Sequence, residues 1–118
     1  MDEENPCMKL SDRISGWIRE QVEKAGAAGV EVGVSGGIDS AVVAVLAKRA
    51  MGDHVLALIL PCHSPGEDAR DALMLAETFG IRWERMDLSM AYDVLLQQLP
   101  EAGLMSKANL KPRLRMTV

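Results

Sequence analysis

Between positions 30 and 88 the chain repeats one cycle: a short run of strand formers, a turn, then a helix-patterned stretch. Val30, Val32 and Val34 alternate with Glu31 and Gly33 and lead directly into Ser35-Gly36-Gly37, a strand closing in a glycine-rich turn. The apolar residues 41–47 follow, then Lys48, Arg49 and Gly52, cations and a glycine where a helix ends. Residues 55–60, Val-Leu-Ala-Leu-Ile-Leu, are apolar throughout and stop at Pro61, which predicts a strand covered on both faces. Ser64-Pro65-Gly66-Glu67-Asp68 opens a second helix, whose inner stripe is Ala69, Ala72, Leu73 and Ala76 and whose end is Gly80; residues 81–88 form the third strand candidate. Strand, helix, strand, helix, strand in this order is the signature of parallel pairing through right-handed crossovers. The expected fold class is therefore α/β, an open parallel sheet of three-layer α/β/α type.

Flanking segments complete the pattern. Leu10, Ile14, Trp17, Ile18 and Val22 recur at helical spacing and predict an amphipathic first helix that dies in residues 25–29. Residues 89–99 and 107–116 read as helices around Pro100 and Gly103. At 118 residues there is room for one core, near the lower end for an enzyme that carries its own substrate pocket. With 13 basic against 17 acidic side chains the net charge is −4, which does not supply the positive field of a nonspecific nucleic-acid binder. No stretch approaches the length of a membrane span, and the first six residues lack signal-peptide character, so no membrane partner and a cytoplasmic location are expected. Cys7 and Cys62 are too few and too far apart for a disulfide framework or a metal knuckle.

Chemistry concentrates in the octet Gly33, Val34, Ser35, Gly36, Gly37, Ile38, Asp39 and Ser40. It lies where a strand ends and a helix begins, the place at which open α/β sheets put ligands. Adjacent glycines let the backbone approach an anion, the helix start offers unpaired N–H groups, and two serines add hydroxyls. The octet matches neither the Walker A pattern nor the dinucleotide fingerprint. Asp39 beside a polyphosphate would repel it unless a divalent cation stood between them, which makes Asp39 a candidate Mg2+ ligand. The plain alternative is a tight turn at Gly36-Gly37 with Asp39 and Ser40 at a helix start.

The octet resembles the SGGxDS loop of the N-type ATP pyrophosphatases, the PP-loop enzymes, whose fold is adenine nucleotide alpha hydrolase-like. That resemblance implies that residues 33–40 bind ATP and grip the departing pyrophosphate while a substrate oxygen is adenylated. Two further stretches are similar to the NAD synthetases within that group. One is residues 60–72, Leu-Pro-Cys-His-Ser-Pro-Gly-Glu-Asp-Ala-Arg-Asp-Ala, followed by Phe79-Gly80; the other is Asn109-Leu110-Lys111-Pro112-Arg113-Leu114-Arg115-Met116. The resemblance implies adenylation of deamido-NAD by ATP with Mg2+, amidation by ammonia to give NAD, AMP and pyrophosphate, and a homodimer whose contacts lie near the late helices. It also implies deamido-NAD contacts at Asn109 and Arg113, a role to which a guanidinium is suited. Two positions differ from the family pattern: Ala108 stands where glycine is common, and Pro112 where alanine is. A helix beginning near Asn109 would hold Pro112 in its first turn, whereas an earlier start would lose a backbone hydrogen bond at about 3 kcal/mol and re-aim Arg113.

The resemblance spans the first half of a family subunit. Residues 1–118 are accordingly expected to form a single PP-loop ATP-binding domain, incomplete at the C-terminus, with its first strand as a bare sheet edge and with weak or absent catalysis alone. Two other readings stand beside this one: another PP-loop pyrophosphatase, GMP synthetase-like or tRNA-modifying, or a noncatalytic nucleotide-binding remnant. His54 and His63 have no evident partners and read as loop residues. Met74, Met86 and Met90 read as core filling, and Glu67, Asp68 and Asp71 as acids favoured by the helix dipole.

Overall fold

Helix α1 (Pro6–Lys24) starts where Asn5 accepts a hydrogen bond from the Cys7 N–H at 2.9 Å and Pro6 takes the first position, where its missing N–H costs nothing. The computed structural model describes residues 5–98 and 104–118, with side chains in the last helix from 109 onward. Strand β1 (Val30–Gly33), helix α2 (Ile38–Met51), strand β2 (Val55–Ile59), helix α3 (Gly66–Thr78) and strand β3 (Arg82–Arg85) follow in the expected order. Helices α4 (Ser89–Gln98) and α5 (Leu104–Thr117) close the described chain; Pro100 and Gly103 lie outside the described residues. Gly52 and Gly80 end their helices at positive φ, 61° and 65°, a conformation that costs a side chain energy and glycine nothing.

The sheet order is β1-β2-β3 and both pairings are parallel, with Val32 opposite Ala57 and Ala57 opposite Trp83. Alternation along the strands puts Val32, Val55, Ala57 and Ile59 on one face, where they pack against Ala44 and Ala47 of α2 and Ala72 and Ala76 of α3. Alanine at these four helical positions lets both helices lie close on the sheet, and all four are buried. On the other face Leu58 meets a second cluster of Leu60, Cys62 and Leu88, packed with Tyr92 of α4 and Leu114 of α5. Helices thus lie on both sides of an open parallel sheet. None of the described helices is long and apolar enough to cross a membrane.

Several expectations are corrected. The stripe predicted to bury α1 is largely exposed: Leu10, Ile14 and Trp17 face solvent, and Ser15 is buried instead. The helix packs mainly on α2, and one helix neighbour covers only a narrow stripe, here Ser11, Ser15, Ile18 and Val22. Polar groups hold it there, since Ser15 Oγ donates to the Leu46 carbonyl, Arg19 Nε donates to the Ala50 carbonyl at 2.9 Å, and Arg49 pairs with Asp12. Met74, Met86 and Met90 are exposed and do not fill the core. Pro112 is interior to α5, as its ninth residue, so it leaves the carbonyl of residue 108 without its helical donor. The first strand is an edge, as expected.

Candidate functional site

The turn after β1 is built from its own hydroxyls. Ser40 Oγ accepts from the Ser35 N–H at 3.1 Å, lies 3.1 Å from Ser35 Oγ and donates to the Gly37 carbonyl, while Ser35 Oγ accepts from the Gly37 N–H at 3.3 Å. Gly36 takes φ 89°, and a Cβ there would lie 2.7 Å from the Asp68 carbonyl oxygen, so the turn rests directly on the first turn of α3. Only glycine satisfies both conditions. Gly37 is different: a Cβ would meet only Ser35 Oγ, at 3.5 Å.

Helix α2 begins at Ile38 with no side chain capping it. Its first N–H groups have no intrahelical acceptors, and the helix dipole adds positive potential at the same point. The free N–H groups of the uncapped helix start can receive phosphate oxygens as they stand, whereas the Ser35 and Ser40 hydroxyls, engaged within the turn, would first have to rotate. Asp39 is exposed in this first turn. No group of three or more His, Cys, Asp or Glu able to hold a metal occurs among the described residues. One carboxylate is nonetheless sufficient for a Mg2+ that takes its remaining ligands from phosphate and water.

Beside the turn, at the C-terminal ends of β1 and β2, is a cavity of about 480 Å³. Gly33, Val34 and Ser35 form one wall, Leu60, Pro61, His63 and Ser64 the next, and Lys111, Arg115 and Met116 of α5 the third. Gly36, Gly37 and Ile38 instead border a neighbouring cleft of about 410 Å³ with Asp71 and Met74. Residues 33–35 of the octet thus line one hollow and residues 36–38 the other, while Asp39 and Ser40 line neither of the two.

The late helix reaches the cavity through two cations. Asn109 and Arg113 are both exposed and do not line it, whereas Lys111 and Arg115, one turn apart, do. Arg115 Nε donates to the Leu60 carbonyl at 3.0 Å and its guanidinium reaches Ser64 Oγ at 3.1 Å. Lys111 Nζ lies 5.4 Å from the centre of the Tyr92 ring, a cation–π distance.

His63, read from the sequence as a loop residue without evident partners, has three. Its backbone has φ 49°, the one non-glycine positive φ among the described residues, and its N–H donates to Ser89 Oγ at 2.9 Å. Its ring Nε2 lies 2.7 Å from Asp93 Oδ1, and its edge meets Tyr92 with centroids 5.7 Å apart. The pairing joins residues 30 positions apart, beyond any local spacing rule. The available signal was the helical stretch after Leu88, which would place an acid one turn into α4 facing the β2 end.

Comparison with known proteins identifies similar chains. A family model described as NAD synthase matches residues 10–118. The NH(3)-dependent NAD(+) synthetase of Finegoldia magna is 45% identical over 109 residues, which make up 92% of this chain and 45% of that protein. Among solved structures, the NH3-dependent NAD synthetase from Campylobacter jejuni in complex with nitrate ion superposes with a TM-score of 0.86 at 33% identity, covering 93% of this chain and 48% of that one. The glutamine-dependent NAD+ synthetase from Acinetobacter baumannii in complex with ADP gives 0.89 at 25% identity, covering 99% of this chain and 23% of that one. The chain spans about half the length of the curated relatives it matches.

Proposed function

This chain belongs to the NAD synthase family, and we propose that residues 33–40 bind ATP for the amidation of deamido-NAD to NAD. The observation that carries the reading is the turn itself: a serine-locked glycine pair, fixed against α3 and opening onto an uncapped helix start. Description of the similar Acinetobacter enzyme in complex with ADP supports an adenine nucleotide as the ligand.

In this reading a carboxylate oxygen of deamido-NAD attacks the α-phosphorus of ATP, and the bond to the β-phosphate oxygen breaks to release pyrophosphate. Ammonia then attacks the acyl carbon, AMP leaves with the electron pair of the acyl C–O bond, and a proton is lost. The N–H groups at the start of α2, joined by the hydroxyls of Ser35 and Ser40 once these turn away from their partners within the loop, hold the leaving pyrophosphate, whose charge grows as the bond breaks. Lys111 and Arg115 place positive charge on the cavity wall for an anionic substrate. Asn109 and Arg113 are deamido-NAD contacts on the outer side of α5. Asp39 would hold Mg2+, which when bound offsets phosphate charge. A homodimer and a cytoplasmic location belong to the same proposal.

Calorimetric titration with ATP and Mg2+ tests it. Binding by the wild-type chain that both Asp39→Ala and Gly37→Val weaken at least tenfold is expected, followed by NAD formation from ATP, deamido-NAD and ammonia in the assembled enzyme. A folded chain whose ATP affinity ignores both substitutions would overturn the loop assignment.

A further inference from the structure

His63 is the described non-glycine residue held in left-handed backbone, at φ 49°, and it lines the same cavity as Ser35. Such strain persists only where surroundings impose it, and it gathers at ligand-contacting positions. Here three contacts impose it: the Ser89 hydroxyl on the backbone N–H, the Tyr92 ring against the imidazole edge, and the Asp93 carboxylate at Nε2. A carboxylate only accepts, so the neutral imidazole carries its proton on Nε2 and leaves Nδ1 as a bare acceptor. Nδ1 has no hydrogen-bond partner among the described residues.

A fixed acceptor in a nucleotide cavity discriminates between purines by the atom at the 6-position. Adenine offers an amino donor there, and guanine and hypoxanthine offer a carbonyl acceptor that would face the Nδ1 lone pair. The cavity, about 480 Å³, has room for a nucleoside whose phosphates lie at the turn. Resting on the ATP assignment above, we infer that His63, oriented by Asp93, is the specificity-determining residue that accepts a hydrogen bond from the adenine 6-amino group and disfavours 6-oxopurines. Asp93 acts as a positioning residue, setting the tautomer without touching the nucleotide.

Titrations of the full chain with ATP, purine riboside triphosphate, which lacks the 6-substituent, ITP and inorganic pyrophosphate separate the possibilities. The wild type binds ATP about tenfold more tightly than purine riboside triphosphate, the worth of one half-exposed hydrogen bond, and disfavours ITP further. In His63→Ala, and in His63→Gly, which relieves the positive φ, ATP and purine riboside triphosphate bind equally while pyrophosphate affinity is unchanged. Asp93→Asn can donate to Nε2 and move the ring proton to Nδ1, so the ATP-to-ITP ratio narrows or inverts. Retention of the ATP preference in both His63 variants overturns the inference and leaves the loop assignment standing. Failure of the wild type to bind either pyrophosphate or nucleotide overturns both.

Discussion

Arg115 Nε donates to the carbonyl oxygen of Leu60 at 3.0 Å, joining the last helix to the end of the central strand across 55 positions of sequence. The same guanidinium reaches Ser64 Oγ, which also accepts from the Cys62 N–H at 3.2 Å. One side chain thus fixes both the position of α5 and the course of the loop after β2, and with them two walls of the cavity.

Arg115→Ala should therefore lower both stability and ATP affinity. Two hydrogen bonds from a charged donor are lost and part-buried acceptors are left exposed to rearrangement, a loss of about 1–3 kcal/mol. Arg115→Lys keeps the charge but not the fork, and should recover little. Arg113→Ala, on the exposed side of the same helix, should leave the melting temperature unchanged and weaken only deamido-NAD binding. Thermal melts and ATP titrations of the three variants check this, and equal effects at positions 113 and 115 would sink it.

The two glycines of the turn should respond unequally. Alanine at Gly36 must place a Cβ 2.7 Å from the Asp68 carbonyl oxygen at φ 89°, so the turn or α3 has to move, at roughly 1–3 kcal/mol. At Gly37 the added atom meets only Ser35 Oγ at 3.5 Å. Urea unfolding should show Gly36→Ala clearly destabilised and Gly37→Ala close to wild type, with pyrophosphate binding lost in the former.

This asymmetry marks what the sequence made legible. The alternation of strand and helix signals, the glycine-rich octet and the acids opening α3 are local patterns, and each stands where its pattern put it. What local patterns could not show was which neighbour each surface meets. The α1 stripe was correctly helical, but its burial depended on how many elements pack on it, and mainly α2 does. Arg113 was chosen over Arg115 by resemblance, and its outward direction depends on where α5 begins relative to the cavity. The partner of His63 lies on a different element altogether, so nothing near His63 in the sequence could identify Asp93.

Ser89 links the cavity to acid stability. Its hydroxyl accepts from the His63 N–H and donates to Asp87, while its own N–H also donates to Asp87 Oδ1 at 2.9 Å. The Ser89 hydroxyl first, then its N–H, hold the Asp87 carboxyl below its ordinary value of 3.8. A depressed folded-state pKa contributes stability at pH above 3.8 that is lost as pH falls through the lower folded value. Ser89→Ala should therefore be less stable than wild type by a constant amount near neutral pH, with the gap shrinking as pH drops below 3.8. Denaturation midpoints across that range check it, and a gap that widens in acid would refute the assignment.

The two edges of the sheet are not equally protected. Strand β3 carries Arg82, Glu84 and Arg85, all exposed, and charges along an edge discourage another strand from pairing. Strand β1, Val-Glu-Val-Gly, has a single charge, and α2, which packs on it, exposes Ile38, Val42 and Val43, with Ile38 76% accessible. An unpaired strand edge near apolar helix surface is a template for association. The 118-residue chain should accordingly show concentration-dependent sedimentation. Val42→Lys with Val43→Glu should suppress it at little cost to the fold, since both replacements are better helix formers than valine and neither position is buried. Charge placed on β3 instead, as Trp83→Lys, should leave association unchanged, because that edge already repels partners. Sedimentation velocity on the three chains distinguishes the edges, and suppression by Trp83→Lys alone would place the contact on the opposite side of the sheet.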